Sequence, residues 1–261
     1  MHITERESMK YNLNNPIAQR DTKTVYKDNN CTIKLFVKDY SKANILNEAL
    51  NQARVEEATD LYIPKLLEVT TIDGRWAIVS EHVDGTPLDE LMANNPNELD
   101  KYLDLFVKIQ LTVLSKEVPL LSRIKDKFRR KLEHTDLIDG ATKYELMQRL
   151  EGMKNHTKLC HGDFNPSNII IKDNGEYHII DWSHATQGNA SADVARTYLI
   201  FCMQGKEDIA NIYLDKFTVA SGIDKKNILR WIPIVAGTQL TKGIKSEQEF
   251  LTKWIDVLDF E

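Results

Sequence analysis

Hydrophobic residues alternate with a two-residue period over Thr32–Lys38, at Ile33, Leu35 and Val37. Such alternation is typical of half-buried β-strands, because successive side chains of a strand point to opposite faces. Three further stretches of the first third of the chain are predicted to be strands because turn-forming residues bound them: Ile17–Tyr26, Pro64–Thr70 and Arg75–Ser80. Asp73-Gly74 predicts a hairpin between the last two, and Lys27–Asn30 predicts a turn between the first two.

One helix is predicted inside this β-rich part, over Ser41–Thr59, with Ser41 as its N-cap. Its apolar stripe comprises Leu46, Ala49, Leu50 and Ala53. Glu48 lies off that stripe, which is the ordinary position of a solvated helix residue.

From Pro87 onward the apolar residues recur with a period of about 3.6 residues, which indicates helices. The predicted helices are Leu88–Met92, Leu99–Val113, Leu121–His134, Ala141–Lys154, one from about Ser191, Ile209–Ser221, Lys226–Ala236 and Gln248–Leu258. Gln110 is the one polar break in its apolar face, and Trp231 and Trp254 are predicted to pack in the core. The Lys/Arg-rich face of the helix over Leu121–His134 is either solvated or one wall of a substrate cleft.

Composition narrows the class of protein. The chain has 261 residues, 42% hydrophobic and 28% charged, which suits one large soluble domain or two lobes. Its net charge of −5 argues against general nucleic-acid binding and is compatible with a cationic substrate. Three scattered cysteines form no metal-binding pattern, and Cys160 is expected to be a small buried hydrophobe. We find no signal peptide or membrane span, so a cytoplasmic protein is expected.

The stretch from Leu159 to Asp181 contains the main candidate chemistry. It holds His161, Asp163 and Asn168, followed by two predicted strands, Asn168–Lys172 and Glu176–Asp181, which Asp173-Asn174-Gly175 connects. The spacing of His, Asp and Asn matches the catalytic loop of kinases, in which the aspartate takes the proton of the substrate hydroxyl and the asparagine holds metal.

The register of this hairpin is predicted from its turn. A two-residue loop at Asn174-Gly175 pairs Ile170 with Ile179 and brings Asn168 opposite Asp181. Directly opposite side chains share one face, with Cβ atoms about 5 Å apart. Mg²⁺ prefers oxygen ligands, so the amide of Asn168 and the carboxylate of Asp181 are predicted to hold it.

The same stretch resembles the aminoglycoside phosphotransferase and choline kinase-like family. The resemblance is carried by His161-Gly162-Asp163, by Asn168 five residues later, and by Ile180-Asp181-Trp182 after the hairpin. It implies an α+β, protein kinase-like fold of two lobes. Residues 1–84 would form a small antiparallel β-rich nucleotide-binding lobe, and residues 85–261 a larger, mostly helical lobe with the catalytic loop and the substrate site.

The resemblance also implies roles for individual residues. Asp163 would be the catalytic group, Asn168 and Asp181 the metal ligands, and His161 a brace for the loop. Asp193 would accept hydrogen bonds from the catalytic loop, although an aspartate in the first turn of a helix is also favoured by the helix dipole alone.

In the β-rich part the resemblance assigns a nucleotide site. Lys34 points away from the aliphatic side chains of its strand and would bind the α- and β-phosphates, with Glu48 as its partner and Glu56 or Glu57 as the second choice. The Glu81 carbonyl and the Val83 amide, in the connection between the lobes, would bind the adenine edge. Each of these residues alone is also compatible with an ordinary surface position.

The implied activity is transfer of the γ-phosphoryl group of ATP, with GTP left open, to a hydroxyl of a small molecule. Only eleven residues separate Asp181 from Asp193, which leaves no room for the activation segment of a protein kinase. Asn165 also stands where protein kinases carry a lysine. Both features favour a small-molecule acceptor over a protein.

Several points stay open at the level of sequence. The first turn, Gln19–Thr24, contains no glycine, in contrast to the glycine-rich phosphate loop of kinases. A nucleotide-binding pseudokinase without turnover is therefore an alternative. Backbone amides of this turn and the side chains of Thr22, Lys23 and Thr24 could still donate hydrogen bonds to phosphate. The acidic end (Asp256, Asp259 and Glu261) is either solvated or binds a cationic acceptor. Aminoglycosides, choline-like amines, sugars and amino-alcohols all stay possible as acceptors, and the protein is a monomer or a homodimer.

Overall fold

Five antiparallel strands form the N-terminal sheet of the computed structural model, which describes residues 11–255. The strands are β1 (Pro16–Gln19), β2 (Lys23–Asp28), β3 (Cys31–Phe36), β4 (Leu66–Ile72) and β5 (Arg75–Glu81), in the spatial order β1-β2-β3-β5-β4. The prediction of one strand over Ile17–Tyr26 is wrong. The chain reverses between β1 and β2, where the Arg20 amide donates to the Lys23 carbonyl at 2.9 Å. The predicted hairpin at Asp73-Gly74 is confirmed between β4 and β5.

Helix α1 (Lys42–Ala58) follows β3, and the Ser41 side chain caps it as predicted. The predicted apolar stripe is wrong, because Leu46 and Leu50 are exposed while Glu48 is buried. The buried side chains of α1 are Ile45, Glu48, Ala49, Asn51, Gln52 and Val55. Three of these six are polar, so hydrophobicity alone could not identify the face that packs on the rest of the protein.

The remainder forms a mostly helical lobe with short pairs of strands. Its helices are α2 (Leu88–Asn94), α3 (Leu99–Leu114), α4 (Ile124–Glu133), α5 (Gly140–Gly152), α6 (Ala190–Met203), α7 (Glu207–Ser221), α8 (Lys225–Leu229), α9 (Ile232–Leu240) and α10 (Lys245–Thr252). Its strands are β6 (Thr86–Pro87), β7 (Lys158–Cys160), β8 (Ile169–Ile171), β9 (Tyr177–Ile179) and β10 (Thr186–Gly188). This arrangement confirms the predicted two-lobed, kinase-like α+β architecture.

Two helix predictions in this lobe need correction. The single helix predicted over Lys226–Ala236 is two helices, α8 and α9, with a break at Arg230 and Trp231 and Pro233 in the first turn of α9. The helix predicted over Gln248–Leu258 starts earlier, at Lys245, and its predicted end lies outside the described residues. The acidic residues Asp256, Asp259 and Glu261 also lie outside them.

The large core of the helical lobe includes Trp231, as predicted, and Cys160, both essentially buried. Gln110, the polar residue in the apolar face of α3, is buried as well. Gln110 accepts a hydrogen bond from the Tyr213 hydroxyl at 2.6 Å and donates to Thr197 and Asp193 on α6. This network links α3 to α6, the helix that contacts the loop around Asp163. Within residues 11–255, no helix combines the length and apolar character that crossing a lipid bilayer requires.

Candidate active site

The β8–β9 hairpin carries the candidate catalytic chemistry, but its register differs from the predicted one. Ile169 pairs with Ile179 and Ile170 with His178, so each pair is shifted by one residue. The loop contains three residues rather than two, because the Lys172 amide bonds to the Glu176 carbonyl at 2.8 Å. Asn168 therefore lies opposite Ile180, whose amide donates to the Asn168 carbonyl at 2.9 Å, and not opposite Asp181. The extra residue is accommodated with Gly175 at φ +82°, and the sequence did not distinguish this three-residue loop from the two-residue turn.

The position of Asp181 depends on its own backbone conformation rather than on pairing with Asn168. Its backbone adopts φ 61° and ψ 63°, in the left-handed region that few residues other than glycine enter. The chain leaves the hairpin at this residue, so Asp181 does not continue the β9 ladder. Backbone strain of this kind is concentrated at functional sites.

The catalytic loop is held by His161 and Trp182. The Asp163 amide donates to His161 Nδ1 at 3.3 Å, so this nitrogen must be an acceptor. The hydrogen of the neutral ring then lies on Nε2, which is 3.1 Å from the Ile180 carbonyl. The ring is fully buried and packs on Trp182, with centroids 4.6 Å apart. His161 thus connects the loop to the end of the hairpin without reaching solvent.

Glycine is required in the middle of this loop. Gly162 has φ +78°, and a Cβ built on it would lie 2.5 Å from the His184 carbonyl oxygen. Its amide donates to Asp193 Oδ1 at 2.7 Å. Asp193 is buried, and burial raises its pKa, although the hydrogen bond from Gly162 acts in the opposite direction.

Three side chains converge on the carboxylate of Asp163. Arg196 Nη2 lies 3.5 Å from Oδ1, while the amide nitrogens of Asn165 and Asn168 lie 3.3 and 3.4 Å from Oδ2. The same two amides also donate to the Asp163 carbonyl, each at 3.0 Å. Donors therefore fix both the backbone and the carboxylate of this residue.

Arg196 was not singled out from the sequence. It occurs one helical turn after Asp193 on α6, so both side chains face the catalytic loop. A basic residue on a mostly apolar, buried helix, one turn after Asp193, was the available signal. Its guanidinium provides a cation beside Asp163 in a loop that has Asn165 in place of the lysine of protein kinases.

A second charged cluster joins the two lobes. Lys34 Nζ on β3 lies 2.7 Å from Glu48 Oε1 and 3.1 Å from Asp181 Oδ1. Burial disfavours the charge on Lys34, but the adjacent Asp181 and Glu48 outweigh it, so the pKa of Lys34 is raised. Burial likewise disfavours the charge on Asp181, yet Lys34 and Lys23 hold the pKa of Asp181 well below its usual value. Lys34 and Asp181 are therefore both charged at neutral pH.

Lys23 is a second lysine in this cluster. Its Nζ lies 3.2 Å from Glu48 Oε1 and 3.8 Å from Asp181 Oδ2. Val25 pairs with Lys34, so Lys23, two residues earlier on β2, shares the face of Lys34. The glycine-free first turn thus leads directly into a strand that brings a cation to the site. Glu56, the second choice as partner of Lys34, instead accepts a hydrogen bond from the Leu66 amide at 2.9 Å.

The donor chemistry of Asn168 and Asp181 fits a magnesium ion. Asp181 is ionised, and the nitrogen of the Asn168 amide is used on Asp163, which leaves the amide oxygen as the possible ligand atom. Within residues 11–255, no group of three or more His, Cys, Asp or Glu side chains has the arrangement of a metal site. Two protein ligands match the way Mg²⁺ is bound together with substrate phosphates.

The connection between the lobes contains the two residues assigned to adenine binding. Glu81 ends β5, and its amide donates to the Lys65 carbonyl at 2.9 Å. Val83 follows in the segment that leads to β6. Both line a cavity with Gly85 and the tip of the β8–β9 hairpin. Their role in nucleotide binding stays a prediction.

The sequence model of the family described as "Phosphotransferase enzyme family" matches residues 19–225. The chain belongs to this family. The match extends from the end of β1 into α8 and therefore includes the charged cluster and the catalytic loop. The comparison with curated protein sequences found no match.

Solved structures share the fold at low sequence identity. A thermostable mutant of the aminoglycoside phosphotransferase APH(4)-Ia, in ternary complex with ADP and hygromycin B, superposes with a TM-score of 0.69 at 13% identity, over 92% of this chain and 89% of that one. The choline kinase LicA from Streptococcus pneumoniae has a TM-score of 0.61 at 17% identity, over 89% and 84%. The GDP complex of a mutant aminoglycoside 2′-phosphotransferase-IIIa has a TM-score of 0.60 at 15% identity, over 97% and 92%. The resemblance drawn from the catalytic-loop motif is thus confirmed for family and fold.

Proposed function

We propose that the protein transfers the γ-phosphoryl group of ATP to a hydroxyl group of a small molecule. The observation that carries the proposal is the contact of Lys34 with Asp181 across the two lobes, at 3.1 Å. It brings a strand lysine of the kind that binds nucleotide phosphates next to a carboxylate of the kind that holds their metal ion. Family membership and the nucleotide complexes of similar structures support the same activity.

In this proposal residues 1–84 bind the nucleotide and residues 85–261 supply the catalytic loop and the acceptor site. Lys34, fixed by Glu48, binds the α- and β-phosphates, and Lys23 adds a second positive charge. The backbone of Glu81 and Val83 binds the adenine edge. GTP stays an alternative nucleotide.

Asn168 and Asp181 would hold Mg²⁺, which when bound neutralises charge on the phosphates. Asp163 orients the acceptor hydroxyl and accepts its proton. The hydroxyl oxygen bonds to the γ-phosphorus as the bond from that phosphorus to the β–γ bridging oxygen breaks, so the products are a phosphate monoester and ADP. Because the transition state is loose, the orientation of the hydroxyl contributes more than the basicity of Asp163.

The variant Asp163→Ala tests this assignment. We expect ADP formation in the presence of an acceptor to fall by at least about 1,000-fold, while the calorimetric affinity for MgATP stays within about threefold. Asp136→Ala, which removes an exposed carboxylate away from the site, is the control and should change neither quantity.

Two outcomes would contradict the proposal. Full turnover by Asp163→Ala would remove the catalytic role of that residue. MgATP binding to the unmodified protein without turnover on a broad panel of alcohols would favour the pseudokinase alternative, which the glycine-free first turn between β1 and β2 suggested.

A further inference from the structure

A cavity lies against the loop that carries Asp163, between α4, α6 and α9. Its lining includes Lys127, Lys131, Gly162, Thr186, Arg196 and Lys242. Gly162 precedes Asp163 in the chain, and Arg196 contacts the Asp163 carboxylate. The cavity is therefore adjacent to the group that would receive the acceptor hydroxyl.

The lining of this cavity, which we call the basic cavity, is rich in cations. Lys127 and Lys131 are half-buried on α4, Arg196 comes from α6, and Lys242 is exposed just after α9. Within the described part of the chain, none of the three lysines forms an ion pair with a carboxylate. Lys127 instead donates to the His184 carbonyl at 3.0 Å.

The carboxylates around the basic cavity have other partners. Asp163 pairs with Arg196, and Asp193 accepts from the Gly162 amide. Glu247 on α10 accepts from Gln239 at 2.7 Å. These acids do not form ion pairs with the lysines, and the cavity keeps an excess of positive charge.

Two buried polar atoms of the lining lack a hydrogen-bond partner within residues 11–255. They are Nη1 of Arg196 and the hydroxyl oxygen of Thr186, a side chain that is 1% exposed. Buried polar groups of this kind are rare because each costs free energy when it is left unpaired. A guanidinium N–H and a hydroxyl are both suitable donors to a bound anion.

Two lysines of the basic cavity have lowered pKa values. Burial, together with the neighbouring cations, lowers the pKa of Lys127 to about 7 and that of Lys131 to about 8. His184 is neutral, because burial and the same lysines lower its pKa to about 2. An anion in the basic cavity would stabilise the charged form of both lysines.

We propose that the acceptor alcohol carries a compact anionic group, a carboxylate or a phosphate, which binds in the basic cavity while its hydroxyl lies at Asp163. This inference rests on the proposed function and names its acceptor class. An anionic acceptor differs from the cationic acceptor that the acidic C-terminal residues suggested in the sequence analysis. Those residues lie outside the described part of the chain. The cavity supplies cations and donors, which attract an anionic group and repel a polycation.

Binding of inorganic sulfate, followed by calorimetry with MgADP present, tests the site directly. The unmodified protein should bind sulfate, and Lys131→Gln, Lys242→Gln and Thr186→Val should each weaken binding by about three- to tenfold. Lys108→Gln, which removes an exposed lysine of α3, is the matched control and should bind as the unmodified protein does. Absence of binding, or equal affinity in all variants, would overturn the proposal.

The melting temperature of Thr186→Val distinguishes a specific loss of sulfate binding from misfolding of the variant. Removing an unpaired buried hydroxyl should leave the melting temperature unchanged or raise it, because valine has nearly the same shape. Loss of sulfate affinity together with a maintained melting temperature therefore supports a binding role. Retained sulfate affinity in a stable Thr186→Val together with a stable Lys131→Gln would contradict it.

The acceptor class is tested with four three-carbon alcohols that differ in one group: glycerol, glycerate, glycerol 3-phosphate and 3-amino-1,2-propanediol. With MgATP, the two anionic alcohols should compete with sulfate and show the higher kcat/KM, and the better of the two identifies carboxylate or phosphate. Preference for the amine would overturn the proposal. Failure of the proposed function is distinguishable, since the protein would then bind sulfate and the anionic alcohols without forming ADP.

Discussion

The Arg196 guanidinium lies 3.5 Å from the carboxylate of Asp163, and the same side chain lines the basic cavity. One residue of α6 thus contacts both the proposed catalytic carboxylate and the proposed acceptor site. Its neighbour one turn earlier, Asp193, holds the backbone of the loop through Gly162. Helix α6 therefore positions the loop and lines the proposed acceptor site.

We expect Arg196→Met to lower kcat by about 10- to 100-fold, because Asp163 loses one of the groups that fix its carboxylate. The KM for ATP should stay within about twofold, since the Lys34 cluster is unchanged. Steady-state kinetics with ATP and the best acceptor measure both values. Arg196→Lys should restore part of kcat, as it keeps the charge but loses the planar fork. An increase confined to the KM for ATP would contradict the assignment.

Lys34→Met should weaken MgATP binding by about 10-fold or more, because the phosphates lose a buried, fully protonated partner. Glu48→Gln should have a smaller effect, since Asp181 also holds Lys34 in place. Lys23→Met tests the residue that the sequence pattern left in doubt and should weaken MgATP binding by at least about threefold. Calorimetric titration with MgATP measures all three, and Lys108→Gln serves as control. Equal affinities throughout would place the nucleotide elsewhere.

The two glycines of the catalytic stretch should differ in their tolerance of alanine. Gly162→Ala requires a Cβ 2.5 Å from the His184 carbonyl and should lower the free energy of unfolding by about 3 kcal/mol or more. Gly175 also has a positive φ, +82°, but its Cβ would meet no atom within 4 Å. Gly175→Ala should therefore cost only about 1 kcal/mol. Urea unfolding curves measure the difference, and similar values for the two variants would contradict the crowding at Gly162.

Stability should depend on pH through Lys127. Its pKa is about 7 in the folded protein against an ordinary value of 10.5, so between these pH values the unfolded chain binds more protons. The free energy of unfolding of the unmodified protein, relative to Lys127→Met, should therefore rise from pH 7 to pH 9.5 and stay flat below pH 6. Because the side chain is half-buried, solvent screening keeps the rise to about 1–2 kcal/mol.

The unmodified protein and Lys127→Met retain the same other charged groups around the cavity, so each serves as the control for the other in this pH series. Lys131, Lys242, Arg196, Arg130 and the carboxylates of Asp163, Asp193 and Glu247 surround the cavity in each case, and His184 is neutral across the whole range. Their common contributions largely cancel in the comparison. A difference that falls as the pH rises would show that Lys127 gains, rather than loses, proton affinity on folding.

Proton uptake gives an independent test of the basic cavity. At pH 8 Lys127 is largely neutral and Lys131 is partly so, and an anion should raise the pKa of both. Binding of sulfate, which does not titrate near neutral pH, should then take up roughly half to one proton, measured by calorimetry in buffers of different ionisation enthalpy. Lys127→Gln should reduce the uptake. Binding without proton uptake would mean that neither lysine faces the anion.

The sequence predicted what depends on local pattern. The hairpin at Asp73-Gly74, the Ser41 cap and the family motif around Asp163 all follow from short-range rules, and each lies where it was predicted. The register of the β8–β9 hairpin did not follow, because the same Asn174-Gly175 pair closes two- and three-residue loops. The buried face of α1 was also missed, since polar residues such as Glu48 are buried by contacts with other parts of the chain.

The basic residues of the site also show which tertiary contacts the sequence could not predict. Lys23 could have been found from strand register once the β1–β2 turn was placed correctly. Lys127 and Lys131 belong to a helix whose basic face suited either solvent or a cleft. Only the cavity that α4 lines together with α6 and α9 distinguishes the two. Lys242 and Arg196 come from distant parts of the chain, so their meeting depends on tertiary structure.

The fate of the γ-phosphoryl group tests the proposed function most directly. ³¹P NMR of the protein with MgATP and each of the four three-carbon alcohols follows this group from ATP to the product. We predict that ADP and a new phosphate monoester of an anionic alcohol appear together, and that both are absent with Asp163→Ala. A phosphomonoester signal that persists at full rate in Asp163→Ala, or that forms only on the amine, would contradict the account.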